Sequence, residues 1–98
     1  MISENIKPIN FFKFEGLRIY HKSVDFSNAI LSLGNCCQTD AQRLLINKFF
    51  NEASQISSHI IDGASRSKTE FIQYLQNAKS NIGNCVMLCS LASKQRLV

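Results

Sequence analysis

The chain has no tryptophan, one proline and four glycines among 98 residues. So few breakers leave room for long uninterrupted helices. Acidic residues are in the minority: eleven Lys and Arg face seven Asp and Glu, a formal charge of +4. That balance is compatible with a nucleic-acid partner and equally with none. No apolar run approaches the roughly 18 residues of a membrane span. Residues 1–10 lack the continuous apolar core of a secretory leader, since Glu4 interrupts isolated apolar positions. The expectation is a cytoplasmic protein that touches no membrane and keeps its four cysteines reduced. There is no H-E-x-x-H and no Ser-His-Asp arrangement, so no enzyme, cofactor or metal is expected.

What is present is helical punctuation. Residues 1–13 read as a flexible N-terminal arm around Pro8, with Phe11, Phe12 and Phe14 docking its end. Residues 14–98 read as one all-α domain, an antiparallel up-down bundle of three long helices. The first helix runs from about Glu15 to Leu33 and ends at Gly34-Asn35. Its apolar residues form two stripes at 100° per residue: Leu17, Tyr20, Val24 and Leu31 on one side, Ile19, Phe26, Ile30 and Leu33 nearly opposite. A surface helix ordinarily has one stripe, so both sides should be covered.

The second helix opens with a capping box, Thr39-Asp40-Ala41-Gln42. Leu45, Ile46, Phe49, Phe50, Ala53, Ile56, Ile60 and Ile61 then cover an arc of about 160°. Gly63 is read as the left-handed residue closing it near Asp62. A second capping box, Ser67 to Glu70, opens the third helix at about Lys68. There Phe71, Leu75, Ala78, Ile82, Cys85, Cys89 and Ala92 alternate by four and three, the seam of a helix packed lengthwise on another. From Cys85 to Ala92 that helix is apolar nearly all round, more than three helices can hide. A second copy is expected against Ile19, Phe26, Ile30, Leu33, Met87, Leu88 and Leu91.

Other residue types carry less. Cys36, Cys37, Cys85 and Cys89 lack paired zinc-site spacing and read as small core residues. His21 and His59 with Asp62 read as at most a weak metal or proton-transfer site, since neither belongs to an H-E-x-x-H or Ser-His-Asp arrangement. The basic residues Arg18, Lys22, Arg43, Lys48, Arg66, Lys68 and Lys79 are spaced apart on exposed faces, with few aromatics between them. Any RNA or DNA site built from them would gain affinity by repetition around an oligomer.

At these residues the chain resembles the bacterial four-helix-bundle family that includes proteins encoded within 23S rRNA intervening sequences. The accessory variability protein of diversity-generating retroelements is a related branch. The first helix is similar at Phe14, Leu17, Ile19-Tyr20, Ser23 and Phe26. The junction is similar at Ala53, Ile56, Ser58, Ile60, Asp62-Gly63, Arg66-Ser67, Glu70-Phe71, Tyr74-Leu75 and Ala78. His59, Ile61 and Asp62 stand where the family has Asn, Ala and Glu, and Phe50-Asn51 replaces a basic pair. The family's fourth helix has no counterpart after the third. The resemblance implies a cyclic homopentamer. For the retroelement branch it also implies a basic barrel that binds nucleic acid and a reverse transcriptase. The leading expectation is therefore an oligomeric module with electrostatic binding of RNA or DNA. The second is a protein-interaction adaptor with no nucleic-acid role.

Overall fold

The computed structural model describes residues 15–98, with side chains from Arg18 onward. The expected arm, the three phenylalanines near its end and the Leu17 side chain lie outside the described residues. The described chain is all-helical, without strands. It consists of α1 (Glu15–Ser32), a 3₁₀ turn (Leu33–Cys36), α2 (Asp40–Ala64) and α3 (Lys68–Lys94).

Both expected capping boxes form. The Thr39 side chain accepts from the Gln42 amide at 3.1 Å, and the Gln42 side chain accepts from the Thr39 amide at 3.2 Å. Ser67 and Glu70 repeat the arrangement at 3.2 and 3.3 Å. Each box satisfies two backbone donors that a helix start otherwise leaves free, which fixes where α2 and α3 begin.

Gly63 does something other than expected. It lies inside α2, which continues to Ala64, and no glycine among the described residues has positive φ. A Cβ at Gly63 would stand 2.5 Å from Tyr74 Cβ and 3.0 Å from a Phe71 ring carbon. The glycine is there because α3 passes close by, and the turn to α3 is made after it.

α2 packs against both neighbours, whereas α1 and α3 touch each other at most marginally. The core follows from this. Ile46, Phe49, Ala53, Ile56 and Ile60 of α2 are buried, and the whole predicted α2 arc is buried or half-buried. The α1 contact falls between its two stripes, on Tyr20, Ser23, Ser27 and Ile30, of which the last three are buried. Small serines allow the close approach. Ser23 Oγ donates to the Tyr20 carbonyl at 2.6 Å and lies 2.7 Å from Ser57 Oγ across the interface. Phe26 meets Phe49 edge-on, with centroids 6.2 Å apart.

The seam of α3 is displaced from the expected one. Ala78, Asn81, Cys85, Leu88 and Ala92 are buried, with Phe71 and Tyr74 half-buried beside them. The seam expected at Phe71, Leu75, Ala78, Cys85 and Ala92 packs on the core, whereas Ile82 and Cys89 are exposed and Asn81 and Leu88 are buried in their place. The reason is polar. Asn81 Nδ2 donates to Glu52 Oε1 at 2.9 Å and to Gln55 Oε1 at 3.1 Å, which an apolar pattern does not register. Ile82 is 49% exposed in consequence.

The chain after α3 turns back sharply. The Leu97 amide donates to the Ala92 carbonyl at 2.9 Å, and the Arg96 amide to that of Ser93 at 3.0 Å. With Arg96 at φ 62° this is a Schellman turn. It buries Leu97 in the core. Gln42 Nε2 donates to the Gln95 carbonyl at 3.3 Å, tying this turn to the start of α2.

Candidate interaction surface

Because α1 and α3 both lie on α2 without closing on each other, a trough remains between them. It is a hollow of about 220 Å³ lined by Phe26, Ala29, Ile30, Leu33, Phe49, Cys89 and Val98. Phe26 and Leu33 of α1 line the hollow, with exposed Ile19 seven residues before Phe26; Cys89 of α3 lines it, with exposed Ile82 seven residues before. Spacing by seven keeps residues on one helical face. A second hollow, lined by Val86, Cys89, Ser90, Ser93 and Lys94, shares Cys89 and continues along α3.

The seven residues expected to meet a second copy divide. Ile30 and Leu88 are buried within this chain at 3% and 1% exposure, so Leu88 is not free for a partner and Ile30 shows only a small area at the floor of the hollow. Ile30 was misassigned because the α2 contact reaches into the second stripe of α1. Leu88 was misassigned because the α3 seam sits one residue earlier than the apolar alternation suggests. Leu33 is half-buried at the trough wall. Ile19, Phe26, Met87 and Leu91 are exposed. Val24 and Leu31 are exposed on the other flank of α1, and Leu44, Ile72, Ile82, Val86 and Val98 elsewhere.

The basic residues stay dispersed. Arg18 and Lys22 are exposed on α1, Arg43 and Lys48 on α2, Lys68 and Lys79 on α3, and Arg66 in the intervening turn. Arg43 lies 3.6 Å from Asp40, an exposed pair worth little. The Arg66 guanidinium lies over the Tyr74 ring at 4.9 Å. At the start of α3, Ser67 and Glu70 already occupy two of the backbone donors an anion would use.

The remaining candidates form no centre. Cys37 and Cys85 are buried, Cys36 and Cys89 exposed, and all four are free thiols. The core-residue reading thus fits two of the four. His59 stacks edge-on against Tyr74, while His21 lies beside Tyr20. Among the described residues no three His, Cys, Asp or Glu side chains are grouped as metal ligands would be. No described helix is long and apolar enough to cross a membrane.

The polar cluster at Asn81 is what sequence reasoning missed. Asn84 Nδ2 also donates to Glu52 Oε1, at 3.0 Å. The hydrogen bonds from Asn81 and then Asn84 hold the Glu52 carboxyl below the usual carboxylate range, with Lys48 adding a smaller attraction. Burial, then the charges of Glu52 and Cys89, push the Cys85 thiol up to about 11. A usable signal existed: amide and carboxylate side chains at Glu52, Gln55, Asn81 and Asn84 sit on the facing sides of two helices joined by a short turn.

This chain matches no protein-family model, no curated protein and no solved structure.

Proposed function

We propose that this protein is a non-enzymatic, self-associating antiparallel helical bundle that serves as an interaction scaffold. A helix of a second copy fills the trough between α1 and α3. The antiparallel reading is supported by the pairings: Ser23 with Ser57 and Phe26 with Phe49, then Gly63 with Tyr74, Glu52 with Asn81 and Gln42 with Gln95. In that arrangement α1 and α3 run parallel. Ile19 and Ile82 then extend the trough by one heptad, about 10 Å, beyond Phe26 and Cys89.

The observation that carries this reading is apolar surface left uncovered in the two hollows and on the faces of α1 and α3 beside them. Half-exposed side chains of this size each leave on the order of 100 Å² open. Ile19, Phe26, Ile82, Val86 and Val98 together leave roughly 500 Å², and the rims at Leu33 and Cys89 add to it. A stable interface buries about 800 Å² per partner. At about 25 cal/mol per Å², 500 Å² is worth roughly 12 kcal/mol per copy, within the range association costs. A second copy is the favoured occupant because the area approaches what a dimer needs and the chain supplies further exposed apolar ridges. Val24 with Leu31, and Met87 with Leu91, lie outside the trough and are available to enter a neighbour's. A ridge-into-trough contact is heterologous and closes into a ring when the rotation allows. The resemblance to the 23S rRNA intervening-sequence family supports a pentamer as the form of that ring.

The net charge of +4 and the nine basic side chains exposed among the described residues favour a second role, electrostatic binding of RNA or DNA by the assembled copies in the cytoplasm. A reverse transcriptase would be a further partner if the retroelement likeness holds. Dispersed cations give weak sites that gain strength through repetition. Fluorescence anisotropy with a short labelled RNA tests this. Binding that weakens steeply as salt rises supports it; no binding at low salt leaves a protein-only scaffold.

A further inference from the structure

Helix α3 carries two apolar seams that share four residues. Phe71, Ala78, Cys85 and Ala92 belong to both. Tyr74, Asn81 and Leu88 complete the seam that faces α2; Leu75, Ile82 and Cys89 complete the alternative one, of which Leu75 is half-buried against the core while Ile82 and Cys89 stand idle and exposed. Neighbouring residues differ by 100° around a helix, so exchanging the seams takes a rotation of about 50°. At the central position the alternative seam is the more apolar, offering Ile82 where the seam in use has Asn81. Something must oppose the rotation.

Three amide-to-acceptor hydrogen bonds do so. Asn81 spends both Nδ2 protons on α2, at Glu52 and Gln55, and Asn84 adds a third bond to the same Glu52 oxygen. Asn81 is 7% exposed, and its Oδ1 is buried without a partner. An orphaned buried acceptor costs stability. A single polar residue in an apolar seam has a documented use, selecting one helix orientation over its competitors at that cost.

We infer that Glu52, Asn81 and Asn84 form a rotational lock that holds α3 with Leu88 inward and Ile82 and Cys89 outward on the trough. Tyr74 seated on Gly63 supports the same orientation from the far end of the helix. The lock acts inside one chain and stands whether or not copies associate.

Methyl NOEs in isotope-labelled protein, mixed with unlabelled chains so that only contacts within one chain are read, test it. In Glu52→Ala, Ile82 should gain NOEs to α2 while Leu88 loses its own. Adding Asn81→Leu should restore the original pattern, because Leu at 81 then outcompetes Ile82 without any polar partner. Should Glu52→Ala fail to fold, Asn81→Ala removes the amide and should also turn Ile82 inward. Wild-type NOEs at Ile82 and Leu88 in whichever of these variants folds would overturn the lock.

Discussion

A Cβ on Gly63 would stand 2.5 Å from the Cβ of Tyr74, nearer than two carbons can pack. That gap sets the separation of α2 and α3 where they are closest to their connecting turn. Gly63→Ala should therefore destabilise the fold by about 1–3 kcal/mol, the usual cost of overpacking. Gly83 is the control. It lies inside α3 with nothing within 4 Å of an added Cβ. Gly83→Ala should stabilise by roughly 0.5–1 kcal/mol through helix propensity alone. Urea denaturation of the two variants reads both signs, and equal effects would contradict the close-approach account.

Arg96 occupies the left-handed position of the Schellman turn at φ 62°. A side chain there costs about 1–2 kcal/mol that glycine avoids. Arg96→Gly should raise stability by a fraction of that, since glycine also gains freedom in the unfolded chain. Leu97→Ser should do the reverse, because Leu97 is buried by the same turn. Thermal midpoints moving in the same direction for both variants would refute the turn's role.

The Glu52 carboxyl sits below its ordinary range because Asn81 and Asn84 donate to it. The unfolded chain therefore takes up a proton at higher pH than the folded one does. The stabilisation is present above the unfolded value and disappears as pH falls through the folded value. In Glu52→Gln the acid-side slope of stability against pH should be shallower than in the wild type. Urea midpoints followed from neutral to acid pH measure this; identical slopes would show that Glu52 contributes nothing.

Cys85 is buried, and its thiol is held protonated up to about 11. Thiolate is the reactive form, so alkylation at neutral pH should be slow at Cys85 and fast at exposed Cys36. Its linkage to folding runs the other way from Glu52. The unfolded chain loses this proton first, so the contribution holds below 9.0 and falls away between there and about 11. Peptide mass spectrometry after a timed iodoacetamide pulse gives the order, and Cys85 modified as fast as Cys36 would refute its burial.

The starts of α2 and α3 are legible because capping boxes are local signals, whereas Gly63, read as a helix end, lies inside α2. Thr39 with Gln42 and Ser67 with Glu70 need only three residues of context. The rotation of α3 was not legible in the same way. Asn81 reads as a surface residue until Glu52 and Gln55 are placed opposite it, and those partners lie 29 and 26 positions away. Ile30 shows the same limit on α1. Its stripe was visible, but the docking direction was set by Ser23 and Ser27, whose smallness matters only once Ser57 approaches. The trough followed from neither pattern alone. It exists because α1 and α3 each choose α2 over the other.

Self-association is the claim on which the proposed function turns, and multi-angle light scattering on the purified protein tests it most directly. The account predicts a particle whose mass is a multiple of the 11.1 kDa chain. It also predicts that Phe26→Asp, which places a charge in the trough, shifts that mass toward one chain while circular dichroism stays helical. A wild-type protein that remains at 11.1 kDa across the micromolar range, folded and soluble, would contradict it.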